Sequence, residues 1–249
     1  MRDDQLDRYA RHIVLKEIGG AGQARLLAAR VAVVGAGGLG SPCLMYLAAA
    51  GIGRLTVIDD DVVALSNLQR QVLHGTVDVG RAKTASAGDA LRRINPDVAV
   101  TPRGERLDAG NAAALLAGHD VIADGSDSFA TRLAVANAAL ALRIPLVSAA
   151  VGPFDGQLAT FRGWEADKPC YRCFVGRDPA REGASCADEG ILGAVAGVMG
   201  SLQAMEVIRQ VTGFGADIAG RLLLFDALGL RMRTVALTKD PGCAGCSGG

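Results

Sequence analysis

Val31-Ala-Val-Val34, running straight into Gly35-Ala-Gly37-Gly-Leu-Gly40, decides the fold of this 249-residue chain. Four apolar, mostly β-branched residues read as a short buried strand, and the glycines turn the backbone into an Ala/Leu-rich stretch of helical character. Such a loop sets backbone N–H groups at a helix N-terminus to face an anion. On its own it is weak evidence. A second strand, Leu55-Thr-Val-Ile58, ends on Asp59, about 20 residues past the loop, where dinucleotide folds hold ribose hydroxyls. To this point an NAD-dependent oxidoreductase fits.

The next segment pulls away from that reading. Ser66-Asn67-Leu68-Gln69-Arg70-Gln71 is followed by Lys83 in Gly80-Arg-Ala-Lys83. Hydride transfer needs no such cations, whereas a triphosphate does, because its charge must be held while one phosphorus is attacked. A planar Arg fork and a Lys point charge suit that task. The bland alternative is that Arg70 and Lys83 are solvated surface residues. Against it, Asn67, Arg70 and Lys83 all follow one ribose-binding strand.

Outward from this stretch the pattern alternates. Helical spacing covers Asp3 to Leu15 and Gly22 to Arg30; a helix from about Arg81 stops at Asn95-Pro96. Strands at Val98 to Thr101, Val121 to Ala123 and Leu146 to Ala150 are separated by helices at Ala112 to Leu116 and Ser128 to Leu142. This β-α-β alternation predicts a parallel sheet covered by helices on both faces, with ligands beyond the strands' carboxyl ends. Gln157 to Phe161, Leu222 to Phe225 and Met232 to Ala236 lack crossover helices between them, apart from a long helix near Leu192 to Thr212. The expected fold is therefore α/β, Rossmann-like and three-layered, mostly parallel with antiparallel C-terminal strands.

No linker, charge block or repeat divides the chain, and it is expected to form a single unit over 1–249. Within it, 1–30 supplies N-terminal helices, 31–150 the nucleotide-binding half, and 151–249 the antiparallel strands and cysteine pairs. Lys plus Arg and Asp plus Glu are both 26, so nothing favours nonspecific binding to nucleic acid or membrane. Met1-Arg-Asp-Asp4 is no signal peptide, and the uncharged run from Gly190 to Met205 falls short of the roughly 18 residues of a spanning helix. A soluble, cytoplasmic protein is expected. In that setting Cys170-Tyr-Arg-Cys173 and Cys243-Ala-Gly-Cys246 read as the four soft ligands of a closed structural zinc site, the alternative being two unrelated thiol pairs. Cys43 reads as a small core residue.

Taken together, Arg8-Tyr9-Ala10-Arg11, the Gly35 to Gly40 loop, Asp59-Asp-Asp61, Ser66 to Gln71, Lys83, Asn95-Pro96, Asp124-Gly-Ser-Asp127 and the cysteine pairs resemble the ThiF/MoeB/HesA adenylyltransferases, bacterial relatives of the ubiquitin-activating enzymes. The resemblance runs almost end to end. It implies ATP-dependent activation of the C-terminal glycine carboxylate of a ubiquitin-like sulfur-carrier protein ending in Gly-Gly, with release of pyrophosphate. By the same resemblance Gly35, Gly37, Gly38 and Gly40 cradle phosphates and Asp59 holds the ribose. Asn67 and Arg70 contact the triphosphate, Lys83 bridges its oxygens, and Asp127 organises Mg2+. Asp61, Ser66 and Ser128 complete the nucleotide site. Arg11 is implied to reach the partner's site in a homodimer, like an arginine finger in trans. From the residues alone, Asp124 and Asp127 read equally as a helix N-cap pair.

The attacking carboxylate is already ionised at neutral pH, since a chain-terminal carboxyl ordinarily titrates at about 3.5, so no general base is required. His12, His74 and His119 are accordingly read as surface or satisfied core residues. Cys186 carries acyl or sulfur cargo in part of the family and is dispensable in the rest; no flanking cation lowers its pKa. Two departures are Ser126-Asp127-Ser128, where the family has Thr-Asp-Asn, and His12, where it has Gln; neither removes a needed charge. With the chain ending at Gly249, sulfur is expected from a sulfurtransferase or cysteine desulfurase in trans, and Gly248-Gly249 is taken as a chance likeness to a carrier tail. Gly200-Ser-Leu-Gln-Ala-Met-Glu206 and the length favour the molybdopterin branch over the thiamine branch. From other classes, an NAD-dependent oxidoreductase leaves Arg70, Lys83 and the cysteines unexplained, and a noncatalytic subunit would be expected to lack Arg11, Lys83 or Asp127.

Overall fold

In the computed structural model, which describes residues 1–176 and 190–247, three short helices come first: α1 (Asp3–Arg8), α2 (Ala10–Ile13) and α3 (Gly19–Ala28). The single helix expected from Asp3 to Leu15 is broken at Tyr9, where φ is −101° and ψ 12°. Tyr9 is buried, and its hydroxyl accepts a 2.8 Å hydrogen bond from Asn95 Nδ2. Burying a large ring contributes a few kcal/mol, more than the tenths that one continued helical residue would add.

The alternating half follows as β1 (Arg30–Val34), α4 (Gly40–Ala50), β2 (Arg54–Ile58), α5 (Lys83–Ile94), β3 (Ala99–Arg103), α6 (Ala112–Leu116), β4 (Val121–Asp124), α7 (Phe129–Leu142) and β5 (Leu146–Val151). Then come β6 (Asp155–Phe161), α8 (Tyr171–Val175), α9 (Gly193–Thr212), β7 (Arg221–Asp226) and β8 (Arg231–Ala236). The eight strands form one sheet in the order β3-β2-β1-β4-β5-β6-β7-β8, parallel from β3 through β5 and antiparallel from β5 onward. The expected fold class holds, and the change of sense falls at the β5–β6 connection, which contains no helix.

Strand alternation builds the layers. Val31 and Val33 of β1 face a core shared with α4, α5 and α9, through Leu44, Leu47, Leu91 and Met199. Ala32 and Val34 face the opposite core, shared with Leu116 of α6 and Val135 of α7. A strand buried on both faces must be apolar throughout, which is why Val31-Ala-Val-Val34 lacks polar alternation.

α5 begins at Lys83 rather than Arg81, because Ala82 forms an isolated bridge with Val62 and Lys83 N donates to the Asp61 carbonyl at 3.0 Å. That bridge pulls the start of α5 against the loop after β2, which brings Lys83 to the carboxyl edge of the sheet. Among the described residues no helix is long and apolar enough to cross a membrane.

Candidate active site

A crevice of about 690 Å³ opens at the carboxyl ends of the parallel strands, lined by Gly35, Gly37 and Gly38, by Asp59, Arg70 and Lys83, and by Ser126 to Ser128. The glycine loop owes its shape to two positions. Gly35 has φ of 90°, left-handed backbone that side chains resist, and a Cβ at Gly40 would lie 1.8 Å from the Gly35 carbonyl oxygen. Gly40 therefore closes the turn from behind and does not line the crevice.

Asp59 ties this loop to β2. Its Oδ2 accepts from Ala36 N at 2.7 Å and its Oδ1 from Asp61 N at 2.9 Å. Burial pushes its carboxyl above the usual aspartate range, and the nearby Lys83 charge offsets only part of that. Lys83 is buried, with Nζ 2.8 Å from Asp61 and 3.9 Å from Asp59. Arg70 lays its stem beside Gly38 and donates from Nη1 to the Ser66 carbonyl at 3.2 Å.

Gln71 borders the crevice, and His74 packs behind the glycine loop as a satisfied core residue. Gln71 is buried, and its Oε1 has no partner among the described residues. His74 is also buried, with Nε2 3.0 Å from the Ala36 carbonyl and Nδ1 2.8 Å from Ser86 Oγ. A carbonyl only accepts, so Nε2 carries the hydrogen and Nδ1 accepts from the hydroxyl; burial holds the imidazole pKa below its ordinary value. His74 thus links the glycine loop to α5, one turn after Lys83.

On the other side of the crevice Asp127 presents an exposed carboxylate with no hydrogen bond or ion pair to the described residues. The alternative of an Asp124–Asp127 cap pair is wrong. Ser128 is the N-cap of α7 and accepts from Thr131 N at 3.4 Å, whereas Asp124 is the buried last residue of β4. Magnesium takes one or two carboxylates plus phosphate oxygens and waters. Asp59 and Asp61 are engaged by Lys83, whereas Asp127, like Glu105 at the crevice rim, has no such partner among the described residues, and its position fits such an ion.

Ser66 and Asn67 do not line the crevice. Asn67 Oδ1 accepts from Ala64 N at 3.3 Å and closes the single 3-10 turn, Leu65–Asn67, that presents Arg70. Arg11, exposed on α2, is likewise not among the lining residues of its own chain. Cys186 and Gly248-Gly249 lie outside the described residues.

Cys170, Cys173, Cys243 and Cys246 converge. Sγ separations are 3.8 Å for 170–173 and 3.5 Å for both 170–243 and 173–246, with all four sulfurs within 4.8 Å of one another. A tetrahedron of 2.3 Å zinc–sulfur bonds has edges of about 3.8 Å, so the cluster could hold such an ion. Backbone N–H groups already point at sulfur, Asp240 N to Cys173 at 3.5 Å and Gly245 N to Cys243 at 3.3 Å. Burial opposes ionisation of Cys243, yet the N–H groups of Gly245 and Cys246 together with the Cys170 and Cys173 thiols outweigh it and lower its pKa to about 7; burial pushes Cys246 up to about 11. Cys43, by contrast, is a buried core thiol.

The ThiF family model matches residues 9–245. The chain belongs to the ThiF family. It is 46% identical over 246 residues to the SAMP-activating enzyme E1 of Haloferax volcanii, covering 98% of this chain and 90% of that protein. It is 42% identical to the molybdopterin-synthase adenylyltransferase of Escherichia coli K12, covering 99% of this chain and 98% of the relative. Against the adenylyltransferase and sulfurtransferase MOCS3 of Bos taurus identity is 49%, and this ThiF-family chain spans only 53% of that protein. In fold it is similar to E. coli MccB with ATP, with a TM-score of 0.84 at 22% identity over 96% of this chain and 74% of that one.

Proposed function

We propose that the chain is an ATP-dependent adenylyltransferase that activates the C-terminal glycine carboxylate of a ubiquitin-like sulfur carrier. One observation carries this reading: a single crevice collects Asp59, Lys83, Arg70, the glycine loop and the unpaired Asp127 carboxylate. The relatives' names point the same way.

The carrier's carboxylate attacks the α-phosphorus of ATP; a P–O bond forms to the carboxylate, the bond to the β-phosphate oxygen breaks, and pyrophosphate leaves with the electron pair. No proton needs to move, since the nucleophile is ionised. The obstacle is repulsion between two anions, and positioned positive charge removes it. The glycine loop's N–H groups and Lys83 hold the phosphates, Arg70 caps them, and Asp59 takes the ribose hydroxyls. When bound through Asp127, magnesium supplies charge neutralisation for the departing pyrophosphate. The four cysteines hold zinc in a closed, structural site. The active unit is a homodimer in which Arg11 enters the partner's crevice, the pathway is molybdopterin synthesis, and sulfur comes from a separate donor protein.

The test is exchange of labelled pyrophosphate into ATP, with mass spectrometry of candidate Gly-Gly carriers. Exchange that requires a carrier, with a gain of AMP on its terminus, is expected; carrier-independent exchange, or none with any Gly-Gly carrier, would overturn the reading.

A further inference from the structure

Arg132, on the first turns of α7, is a buried cation bordering the crevice that the motifs leave without a role. Its Nη2 donates to the Ser126 carbonyl and, at 2.8 Å, to the Ala149 carbonyl of β5, while Nη1 donates to Ser148 Oγ at 3.3 Å. The buried Asp124 carboxylate lies 3.9 Å away, and it accepts from the Ser126 N–H at 3.0 Å and hydroxyl at 2.7 Å. Gln203 backs the same strand end, donating to the Asp124 carbonyl at 2.9 Å and to the Val147 carbonyl at 3.0 Å. Ser126 is therefore gripped on both sides, by β4 through its N–H and hydroxyl and by α7 through its carbonyl. The next residue is Asp127, whose own carboxylate is tethered to none of the described residues.

We propose that Arg132 is a positioning residue for the metal end of the site: its fork fixes the Ser126 peptide and thereby holds Asp127 ready for a magnesium ion on the ATP phosphates. The inference rests on the role given to Asp127 above. Arg132 acts through Ser126, with three donors spent on three protein acceptors. A lysine would keep the charge that compensates Asp124 but could not span acceptors on two elements with a planar fork.

Calorimetric titration of the full chain with ATP, in magnesium and in EDTA, separates this role from a merely structural one. In Arg132→Lys the tightening of ATP by magnesium should shrink about tenfold, while metal-free ATP affinity stays within about twofold of wild type. Ser148→Ala, which removes one anchor of the fork and no charge, should show the same pattern at about a third of the size on a logarithmic scale. Placed in an Asp127→Asn background, Arg132→Lys should cost nothing further. An unchanged magnesium effect in Arg132→Lys, or a parallel fall in both affinities, overturns the proposal. Should that variant not fold, the Ser148→Ala pattern decides alone. A wild-type chain that binds ATP with no help from magnesium overturns the role of Asp127 itself, and one that binds no ATP overturns the proposed function.

Discussion

Asp59 is held in a conflict that the proposed nucleotide binding would resolve. Burial raises its carboxyl pKa although Lys83 Nζ stands 3.9 Å away, so the fold itself disfavours the charge that ribose hydroxyls need as acceptor. In the proposed site the ionised form is the one that would bind nucleotide, and a proton must leave first when pH lies below the raised pKa. ATP affinity should therefore fall on acidification at a pH above the ordinary aspartate range, approaching tenfold per unit, and Asp59→Asn should abolish the dependence. A flat wild-type profile in calorimetry at several pH values would contradict this. The sign for stability is opposite. The folded ligand-free protein binds this proton more tightly than the unfolded chain, so Asp59's contribution to stability is lost as pH rises from the usual aspartate value through the raised one. Lys83→Ala should cut pyrophosphate exchange about 10²- to 10³-fold and lower the melting temperature only modestly, because Asp61 is largely solvated and the buried Asp59, whose pKa is already raised, can take up a proton once the ammonium is gone. That Gly35, Asp59 and Lys83 share one sheet edge was legible because Gly35 and Asp59 directly follow strands β1 and β2 and Lys83 opens the helix after the loop that follows β2. His74 and Arg132 were not, because their acceptors, the carbonyls of Ala36 and Ala149, are brought to them only by tertiary folding. Asn67 caps its own turn through Oδ1 and lies outside the crevice lining, an arrangement that looks the same in sequence as a side chain that reaches a ligand.

Among the elements, α8 couples the cysteine cluster to the crevice. Cys170 is its N-cap, Cys173 sits within it, and Tyr171 and Phe174 between and beyond them line the crevice wall. Phe161, Tyr171 and Phe174 also pack ring against ring, with centroids 5.3–6.4 Å apart. Cys173→Ser, or metal removal by a strong chelator, should lower the melting temperature by roughly 6–12 °C, as expected for losing about 3 kcal/mol in a chain of this size. Zinc analysis alongside differential scanning calorimetry checks it, and a metal-free variant of equal stability would refute a structural ion. The cysteine spacing made the cluster readable. The helix between the first pair was hidden, since five residues are too few to show a period. The break at Tyr9 was hidden as well: Leu6, Tyr9 and Ile13 have helical spacing, and only the pocket beside Asn95 shows why Tyr9 leaves the helix. The antiparallel half was legible at β5–β6 and β7–β8, which no helix separates, whereas a parallel return would require one; between β6 and β7 the long α9 intervenes and the strands are antiparallel all the same.

On the scale of the whole molecule, the prediction concerns Arg11, which lies outside the crevice of its own chain. If it completes a partner's site, Arg11→Ala and Lys83→Ala proteins should each be nearly inactive. Mixed and allowed to exchange subunits, they should recover about a quarter of wild-type activity, since half the dimers are mixed and each of those has one intact site. No recovery, with mixed dimers verified by native mass spectrometry, would mean that Arg11 acts elsewhere. At this scale one crevice is proposed to gather opposing charges around a triphosphate. A crystal structure of the protein with ATP and magnesium tests that claim most directly. It should place the ribose on Asp59, the phosphates between the glycine loop, Arg70 and Lys83, and the ion on Asp127; ATP bound elsewhere, or with its phosphates directed away from Lys83 and Asp127, would contradict it.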